Sequence, residues 1–298
     1  MSQFFQLFLS GLMLGCIYGL IAMGFVIVFK ASNVVNFAQA SVVMLGAYLV
    51  AKWHGTLGFF GAIAVAAIVC AAAASLLDLI FVRPLRRRGG GEDSLAIMTI
   101  AINVLLGTEL VRLVGNDIVP SGAPWGANTT TILGAEIPQA RIAAAIVALV
   151  LMFVFYLVFT RTNWGVAMRA AATDQETASL MGIRLGRVAA SAWAIGGALA
   201  AIGGAFFVSF PAGGVSNNTG LLALGAIPAA VLGGLDSMVG ALVGGLLIGV
   251  FSSLAAGYQD DIAFLGRGLS NVVPYAVLFV ILLWRPWGLF GTKEVTRV

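Results

Sequence analysis

Apolar residues are grouped along this chain into nine stretches separated by short polar segments. The stretches cover residues 4–29, 36–51, 57–81, 94–114, 140–160, 187–209, 220–234, 237–256 and 268–284. Seven of them approach the length of about 20 residues that a helix needs to cross a bilayer. The pattern predicts an all-α, polytopic transmembrane helix bundle with eight to ten spanning or half-spanning helices. Residues 1–298 are predicted to form a single transmembrane domain.

Two of the stretches, 36–51 and 220–234, are short, and Gly, Asn and Ser are common at their edges. They are predicted to be half-helices or re-entrant segments. Each follows a polar cluster, which includes Asn33 and Asn36 in the first case and Asn217 and Asn218 in the second. Interrupted segments in corresponding positions of two halves are typical of the binding region of a transporter.

Neutral polar residues also fall at helical spacing within the apolar stretches. Ser32, Asn36 and Gln39 are spaced i, i+4, i+7, and Thr99 and Asn103 are spaced i, i+4. Because amides need partners inside a membrane, two interpretations stay open: hydrogen bonds between helices, or the lining of a translocation path for a small polar solute. The candidate path residues are Asn33, Asn36, Gln39, Thr99, Asn103, Asn217 and Asn218.

A polar island covers residues 165–183, between two long apolar stretches. It is rich in helix formers and predicts one short amphipathic helix that stops at Gly182. In that helix Arg169 lies in the first turn and Asp174 near the middle, five residues apart, so they do not face each other. A polar helix on the membrane surface is a suitable contact for a soluble partner protein.

The composition excludes a soluble protein. Hydrophobic residues make up 60% of the chain, charged residues 9%, and the mean hydropathy is +1.03. Soluble domains have about 25% charged residues. The net charge of +4 does not indicate a nucleic-acid partner, because the basic residues cluster in particular loops.

Twelve of the 16 basic residues lie in four regions that are predicted to share one side of the membrane. They are Lys30; Arg83, Arg86, Arg87 and Arg88; Arg161, Arg169, Arg184 and Arg187; and Arg285, Lys293 and Arg297. The positive-inside rule places this side in the cytoplasm. The 83–93 loop, the 161–186 loop and the C-terminus are therefore expected to be cytoplasmic, and the loops 115–139 and 257–266 external.

Glycines repeat every four residues in two of the stretches, at Gly11, Gly15 and Gly19 and at Gly240 and Gly244. Small residues at this spacing allow helix backbones to approach closely in lipid. These glycines are predicted to lie at helix contacts.

Signals of catalysis or metal binding are missing from the sequence. It contains no phosphate-binding G-x-x-x-x-G-K-[ST] loop, no H-E-x-x-H and no C-x-x-C, and it has one histidine. Cys16 and Cys70 both lie inside apolar stretches, where they indicate small buried side chains. The acids Asp78, Glu109 and Asp236 lie near segment ends. No enzymatic activity, metal site or bound cofactor is predicted.

Several motifs together resemble one family. They are Arg83-Pro84-Leu85-Arg86, the island, Val231-Leu232-Gly233-Gly234-Leu235 and Arg285-Pro286-Trp287-Gly288-Leu289-Phe290-Gly291. Their combination is similar to the permeases of branched-chain amino-acid ABC importers, the Liv-type H subunit, over essentially the whole chain. Asp236 departs from the small residue that this family usually has there, and it is expected either to cap the loop or to tune the path.

The resemblance implies a bacterial inner-membrane complex. In it, a second permease forms a heterodimer with this subunit, two ATPase subunits bind ATP, and a periplasmic binding protein supplies the solute. The segment 161–186 would be the cytoplasmic coupling segment that rests on an ATPase subunit. Its coupling residues would be Arg169, Asp174, Glu176, Met181 and Gly182. Branched-chain amino acids, urea and short amides are all solutes of related permeases.

Two other classes were weighed against this one: an ion-gradient-driven secondary transporter or channel, and a structural membrane scaffold. A secondary transporter has no need of a docking helix, and it usually has an ionisable residue at its core. A scaffold has no need of amides in mid-membrane. The island and the lack of a clear core acid favour the importer.

Overall fold

The fold is described from a computed structural model, over residues 3–126, 128–132, 134–210, 213–259 and 268–292. Its helices are α1 (Gln3–Ser32), α2 (Gln39–Leu77), α3 (Arg83–Arg87), α4 (Glu92–Val114), α5 (Gln139–Arg161), α6 (Asn163–Thr173), α7 (Gln175–Leu180), α8 (Leu185–Ser209), α9 (Thr219–Ala223), α10 (Ala226–Gly233), α11 (Met238–Gly257) and α12 (Leu269–Trp284). A π-helical turn, Asp78–Val82, joins α2 to α3. The all-α class predicted for the chain is confirmed.

Helix α1 is the central element of the bundle. It packs against α5, α8, α10 and α11, and its residues 15–28 are all buried. A helix that is apolar on every side belongs in a core. By contrast, α4 and α5 expose many large apolar side chains, such as Leu105 and Phe153, on the outside of the bundle. Those outer faces suit contact with lipid.

Helix α2 turns back on itself at Gly58. Gly58 has φ +69° and ψ 168°, which breaks the helix into arms of residues 39–57 and 59–77. The Cys70 Sγ lies 3.9 Å from the carbonyl oxygen of Val42, 28 residues earlier. A straight helix would separate those two residues by about 42 Å. The two arms therefore form an antiparallel hairpin, and the predicted half-helix 36–51 is a longer arm that begins inside the bundle.

Six helices among the described residues are long and apolar enough to cross a membrane, with α2 and its extension to Arg87 counted as one. Seven were expected; the shortfall of one arises because α12, the helix of the 268–284 stretch, has only 16 residues. When the arms of α2 are counted separately and the shorter apolar helices 219–233 and 271–284 are added, the described residues hold nine. This number lies within the predicted range. The interrupted character of 220–234 is confirmed, since α9 and α10 are separate helices.

Four short strands were not predicted. β1 (Val119–Pro120) pairs with β4 (Gly214–Val215), and β2 (Thr129–Ile132) pairs with β3 (Ala135–Pro138), both antiparallel. These strands lie where α4, α5 and α8 end or begin, and they tie the connecting segments together. This part of the molecule is called the strand end below.

The opposite end of the bundle gathers the basic residues and is called the basic end. There Arg83 Nη2 donates to the Gly186 carbonyl at 2.6 Å, and Arg86 Nη2 donates to the Ser32 carbonyl at 2.5 Å. Lys30 Nζ donates to the backbone carbonyl of Asp236 at 2.7 Å. The fold therefore agrees with the prediction that these basic regions lie on one side of the membrane. Lys293 and Arg297, and most of the 257–266 loop, lie outside the described residues.

The two glycine stripes lie at helix contacts. A Cβ on Gly11 or Gly15 would lie 2.7 or 2.6 Å from backbone Cα atoms of α11, while Gly19 has more room, at 3.4 Å. Gly240 and Gly244 face α10 instead, where a Cβ would overlap the backbone carbonyls of Gly233 and Ala229. The stripes of α1 and α11 thus let α1, α10 and α11 pack backbone against backbone.

Candidate functional site

The polar island folds as two helices and not as the single helix expected. The residue that separates them is Asp174, whose backbone is extended at φ −157° and ψ 110°. Its Oδ1 accepts the backbone N–H groups of Glu176 at 2.9 Å and Thr177 at 3.1 Å. Asp174 is therefore the N-cap of α7 and does not lie in mid-helix. These bonds and the Thr177 hydroxyl hold the pKa of the Asp174 carboxyl below its usual value.

Helix α7 ends as predicted at Gly182. Gly182 has φ +84°, and the N–H of Ile183 donates to the Ala178 carbonyl at 3.1 Å. This is the usual glycine termination of a helix. The chain then turns directly into α8, so the end of the island is held on a spanning helix.

Arg169 makes an internal contact. It lies in the second turn of α6 and not in the first turn, because the helix begins at Asn163. Its Nη1 donates to the Phe159 carbonyl, and its guanidinium lies 5.3 Å from the centre of the Phe159 ring. Arg169 thus holds α6 against the end of α5, and a role for it in docking stays a prediction.

The most exposed part of the island is its tip, formed by Glu176, Leu180 and Met181. Leu180 is 87% exposed and Met181 80%. From the sequence, Glu176 and Met181 are predicted as coupling residues and Leu180 is not. An apolar residue just before the end of a polar helix could have indicated Leu180. Two bulky apolar side chains held outward on a short capped helix suit burial in a partner's groove.

Four of the seven candidate path residues meet around the segment 33–38, which joins α1 to α2. This segment is non-helical, and Val34, Asn36 and Ala38 in it are at most 1% exposed. Non-helical backbone at membrane depth is tolerated only where its polar groups find partners in the protein.

The partners come from α2 and α4. The Thr99 hydroxyl accepts the Phe37 N–H at 3.2 Å and lies 3.0 Å from the Val35 carbonyl. Asn103 Oδ1 accepts the Ser41 N–H at 3.2 Å. These bonds satisfy backbone of the non-helical segment and, at Ser41, of the first turn of α2.

Asn36 and Gln39 complete this network. Asn36 Nδ2 donates to Gln39 Oε1 at 3.2 Å, and Gln39 Nε2 donates to the Gly196 carbonyl of α8 at 2.9 Å. Both side chains are buried. The geometry favours the structural interpretation of these amides, in which they join the segment 33–38, α2 and α8.

The other three candidates do not take part in this network. Asn33 is exposed and has φ +50°, and it ends α1 as a residue in the left-handed region. Asn217 and Asn218 are exposed just after β4, at the strand end. The structure therefore does not bring the two polar clusters into one site.

Thr99→Val is expected to lower the free energy of unfolding by about 1–3 kcal/mol, because it removes the hydroxyl that serves buried backbone while keeping the side-chain shape. Thermal unfolding of the purified protein measures this, with Thr108→Val, an exposed position on the same helix, as the control. Transport per folded molecule should stay unchanged. Normal stability with reduced transport would instead place Thr99 on the path.

A cavity of about 480 Å³ lies at the strand end, between α1, α8, α11 and α12. Sequence reasoning did not find it, because its walls come from parts of the chain that are far apart. Its polar side includes Ser10, Tyr18, Arg141, Ser252 and Asn271. Its apolar side includes Leu7, Leu14, Phe207, Val208 and Leu222. A volume of this size is in the range of about 300–1,000 Å³ typical of small-molecule sites.

The two glycine-containing motifs of the C-terminal half contact each other at the basic end. The N–H of Leu289 donates to the Leu232 carbonyl at 2.8 Å, and that of Phe290 to Gly233 at 3.1 Å. Asp236 Oδ2 accepts the Thr292 N–H at 3.0 Å. The residue that departs from the family pattern thus fastens the tail to the α10–α11 turn, far from the cavity.

Comparison with known proteins supports the resemblance. The model of the family described as "Branched-chain amino acid transport system / permease component" matches residues 7–282. The chain is 30% identical to the high-affinity branched-chain amino acid transport system permease protein BraD of Pseudomonas aeruginosa, over 99% of this chain and 98% of BraD.

Identity to the permease protein LivH of Escherichia coli K12 is 30%, over 99% of this chain and 98% of LivH. A probable LivH of Methanocaldococcus jannaschii is 26% identical, over 94% of this chain and 90% of the relative. No solved structure gives a significant match. A family match over nearly the whole length, on a multi-pass helical bundle, assigns the chain to the branched-chain amino acid transport system permease components.

Proposed function

We propose that the chain is the membrane-spanning permease subunit of an ABC importer that takes up a branched-chain amino acid or a related small polar solute. The observation that carries the proposal is the family match across residues 7–282. In this complex two ATPase subunits bind ATP, and this chain binds no cofactor of its own. A second permease pairs with it, and a periplasmic binding protein delivers the solute.

The shape of the island supports contact with an ATPase subunit. Its tip projects from the basic end on a helix that is capped by Asp174 and stopped at Gly182. Burial of an exposed Leu or Met side chain contributes about 1.5–3 kcal/mol. Because α6 is held on α5 by Arg169 and α7 leads directly into α8, movement of the tip would reach two spanning helices.

The secondary-transporter alternative finds little support in the acids. Asp78 pairs with Arg83 at 3.1 Å, and Glu109 forms an ion pair with Arg112 on the outside of the bundle. Asp236 lies at the basic end, against the tail. In the described residues these three acids therefore do not form a central proton or ion relay.

Reconstitution tests the proposal. The purified complex with its ATPase subunits, in proteoliposomes with the binding protein, should accumulate labelled leucine only with ATP, and protonophore should not stop it. Uptake that needs an ion gradient and no ATPase subunit would establish the secondary transporter instead. Absence of leucine uptake, with ATP-dependent uptake of another small solute, would correct the substrate alone.

The orientation is part of the proposal. Single cysteines at the exposed positions Gly89, Asp174 and Thr292 should react with a membrane-impermeant thiol reagent from the cytoplasmic side only, because the basic end is expected inside. The measurement compares labelling of intact cells with labelling of inverted vesicles. A cysteine at Ile118, exposed near the strand end, is the control for outside labelling. Labelling of any of the three in intact cells would contradict the topology.

A further inference from the structure

Arg141 is a cation at the strand end that lacks an acidic partner among the described residues, where the ion pairs are Asp78–Arg83 and Glu109–Arg112. Its Nη1 donates to the Ser10 hydroxyl, and its guanidinium lies 4.8 Å from the centre of the Phe210 ring. Its Nε is buried and has no hydrogen-bond partner within the described part of the chain. A buried guanidinium is costly unless its charge is compensated.

The position of Arg141 on α5 is also unfavourable for its positive charge. It is the third residue of α5, which begins at Gln139 without a side-chain cap. The N-terminus of a helix carries partial positive charge, so a cation there opposes the helix dipole while an anion is favoured. The arginine therefore does not serve the stability of α5, although its side chain lines the cavity.

A second polar group faces the same cavity. Ser252 of α11 is 5% exposed and lines the cavity, and its Oγ finds no hydrogen-bond partner among the residues that the structure describes. A buried hydroxyl without a partner costs about 1–3 kcal/mol. Arg141 and Ser252 come from different helices, and both line the same cavity.

The other lining residues of the cavity indicate which groups a ligand would carry besides an anion. Leu14, Phe207 and Leu222 form an apolar side suited to an aliphatic group, while Asn271 adds an amide acceptor on the polar side. The lining therefore offers a cation, an amide acceptor and apolar side chains. These match the carboxylate, the ammonium group and the hydrocarbon side chain of a small aliphatic amino acid.

We infer that the cavity at the strand end is a transport subsite, where Arg141 and Ser252 bind the carboxylate of a small aliphatic amino acid on its way through the permease. The inference rests on the proposed function and adds to it the residues that receive the solute. A lipid phosphate offers similar chemistry, but the apolar lining residues and the volume of about 480 Å³ favour the smaller ligand.

Charge restoration at position 141 is the test. Arg141→Cys is made in a Cys16→Ala, Cys70→Ala parent, and leucine uptake is measured in proteoliposomes of the full complex. Uptake should fall about tenfold or more, since charge-assisted hydrogen bonds are lost. Modification of the folded complex with aminoethyl methanethiosulfonate, which adds a positive charge, should restore much of it. The neutral propyl reagent should not.

Controls separate this role from a structural one. Arg112→Cys, at an exposed external arginine, should transport normally with or without reagent. Ser252→Ala should lower uptake about threefold to tenfold. If Arg141→Cys does not assemble, Arg141→Lys takes its place; it keeps the charge but loses the forked geometry, and uptake should fall while stimulation of the ATPase by loaded binding protein persists.

Several outcomes would overturn the inference. They are equal effects of the two reagents, normal uptake by Arg141→Cys or Arg141→Lys, or a thiol at position 141 that mass spectrometry finds unreacted in the folded complex. Recovery that depends on anionic lipid in the vesicle, and not on the reagent, would assign the cavity to lipid. If the parent itself shows no ATP-dependent uptake, the proposed function has failed; a transporting parent with insensitive variants refutes this inference alone.

Discussion

Gly244→Leu is expected to remove nearly all folded protein from the membrane. A side chain at Gly244 would overlap the Ala229 carbonyl, which belongs to the backbone of α10 and cannot move like a side chain. Forcing the helices apart would also break the neighbouring contact of Gly240 with Gly233. Overpacking costs of about 1–3 kcal/mol are usual where side chains can adjust, and here they cannot. Yield of monodisperse protein in detergent measures the effect.

Gly55→Leu is the matched control, because Gly55 is exposed in a helix and a Cβ there meets nothing within 4 Å. Its yield should equal that of the unmodified protein. If Gly244→Leu also gave normal yield and normal transport, the close packing of α10 on α11 would be wrong.

Leu180→Asp is expected to separate the permease from its ATPase subunits without affecting its insertion. Leu180 is 87% exposed and makes the tip of the island apolar. An aspartate would bring a charge into the groove that is proposed to bury this side chain, and loss of an interface anchor costs about 2 kcal/mol or more. That corresponds to a loss of association of about thirtyfold. Co-purification of the ATPase subunits and substrate-stimulated ATP hydrolysis are the two readouts.

Ile118→Asp, an exposed apolar residue near the strand end, is the control and should change neither readout. Arg169→Glu is a less direct test of docking, since it would also break the contact of Arg169 with the end of α5. Full co-purification together with full ATPase stimulation in Leu180→Asp would remove the tip from the interface.

The sequence predicted the helical class because apolar runs report directly on membrane spans. Short-range signals were also read correctly, such as the stop of α7 at Gly182 and the interruption of 220–234. These features depend on residues a few positions apart, which a linear pattern contains.

The predictions from the sequence were incomplete where the backbone conformation of a single residue, and not the surrounding pattern, set the course of the chain. The extended backbone of Asp174 divides the island, although the surrounding residues are good helix formers. The sequence predicted a break between the stretches 36–51 and 57–81, but not that the positive φ of Gly58 turns α2 into a hairpin. In each case one residue sets the direction of the chain, which hydrophobic periodicity does not encode.

By itself the sequence determined that this is a multi-pass helical membrane protein with a polar surface segment, and its motifs indicated the permease family. Only the tertiary structure decided which amides serve the non-helical segment 33–38 and which residues form the cavity. Arg141 and Ser252 are 111 positions apart and meet because α5 and α11 both pack on α1. Contacts between distant residues follow from helix packing, which hydropathy does not encode.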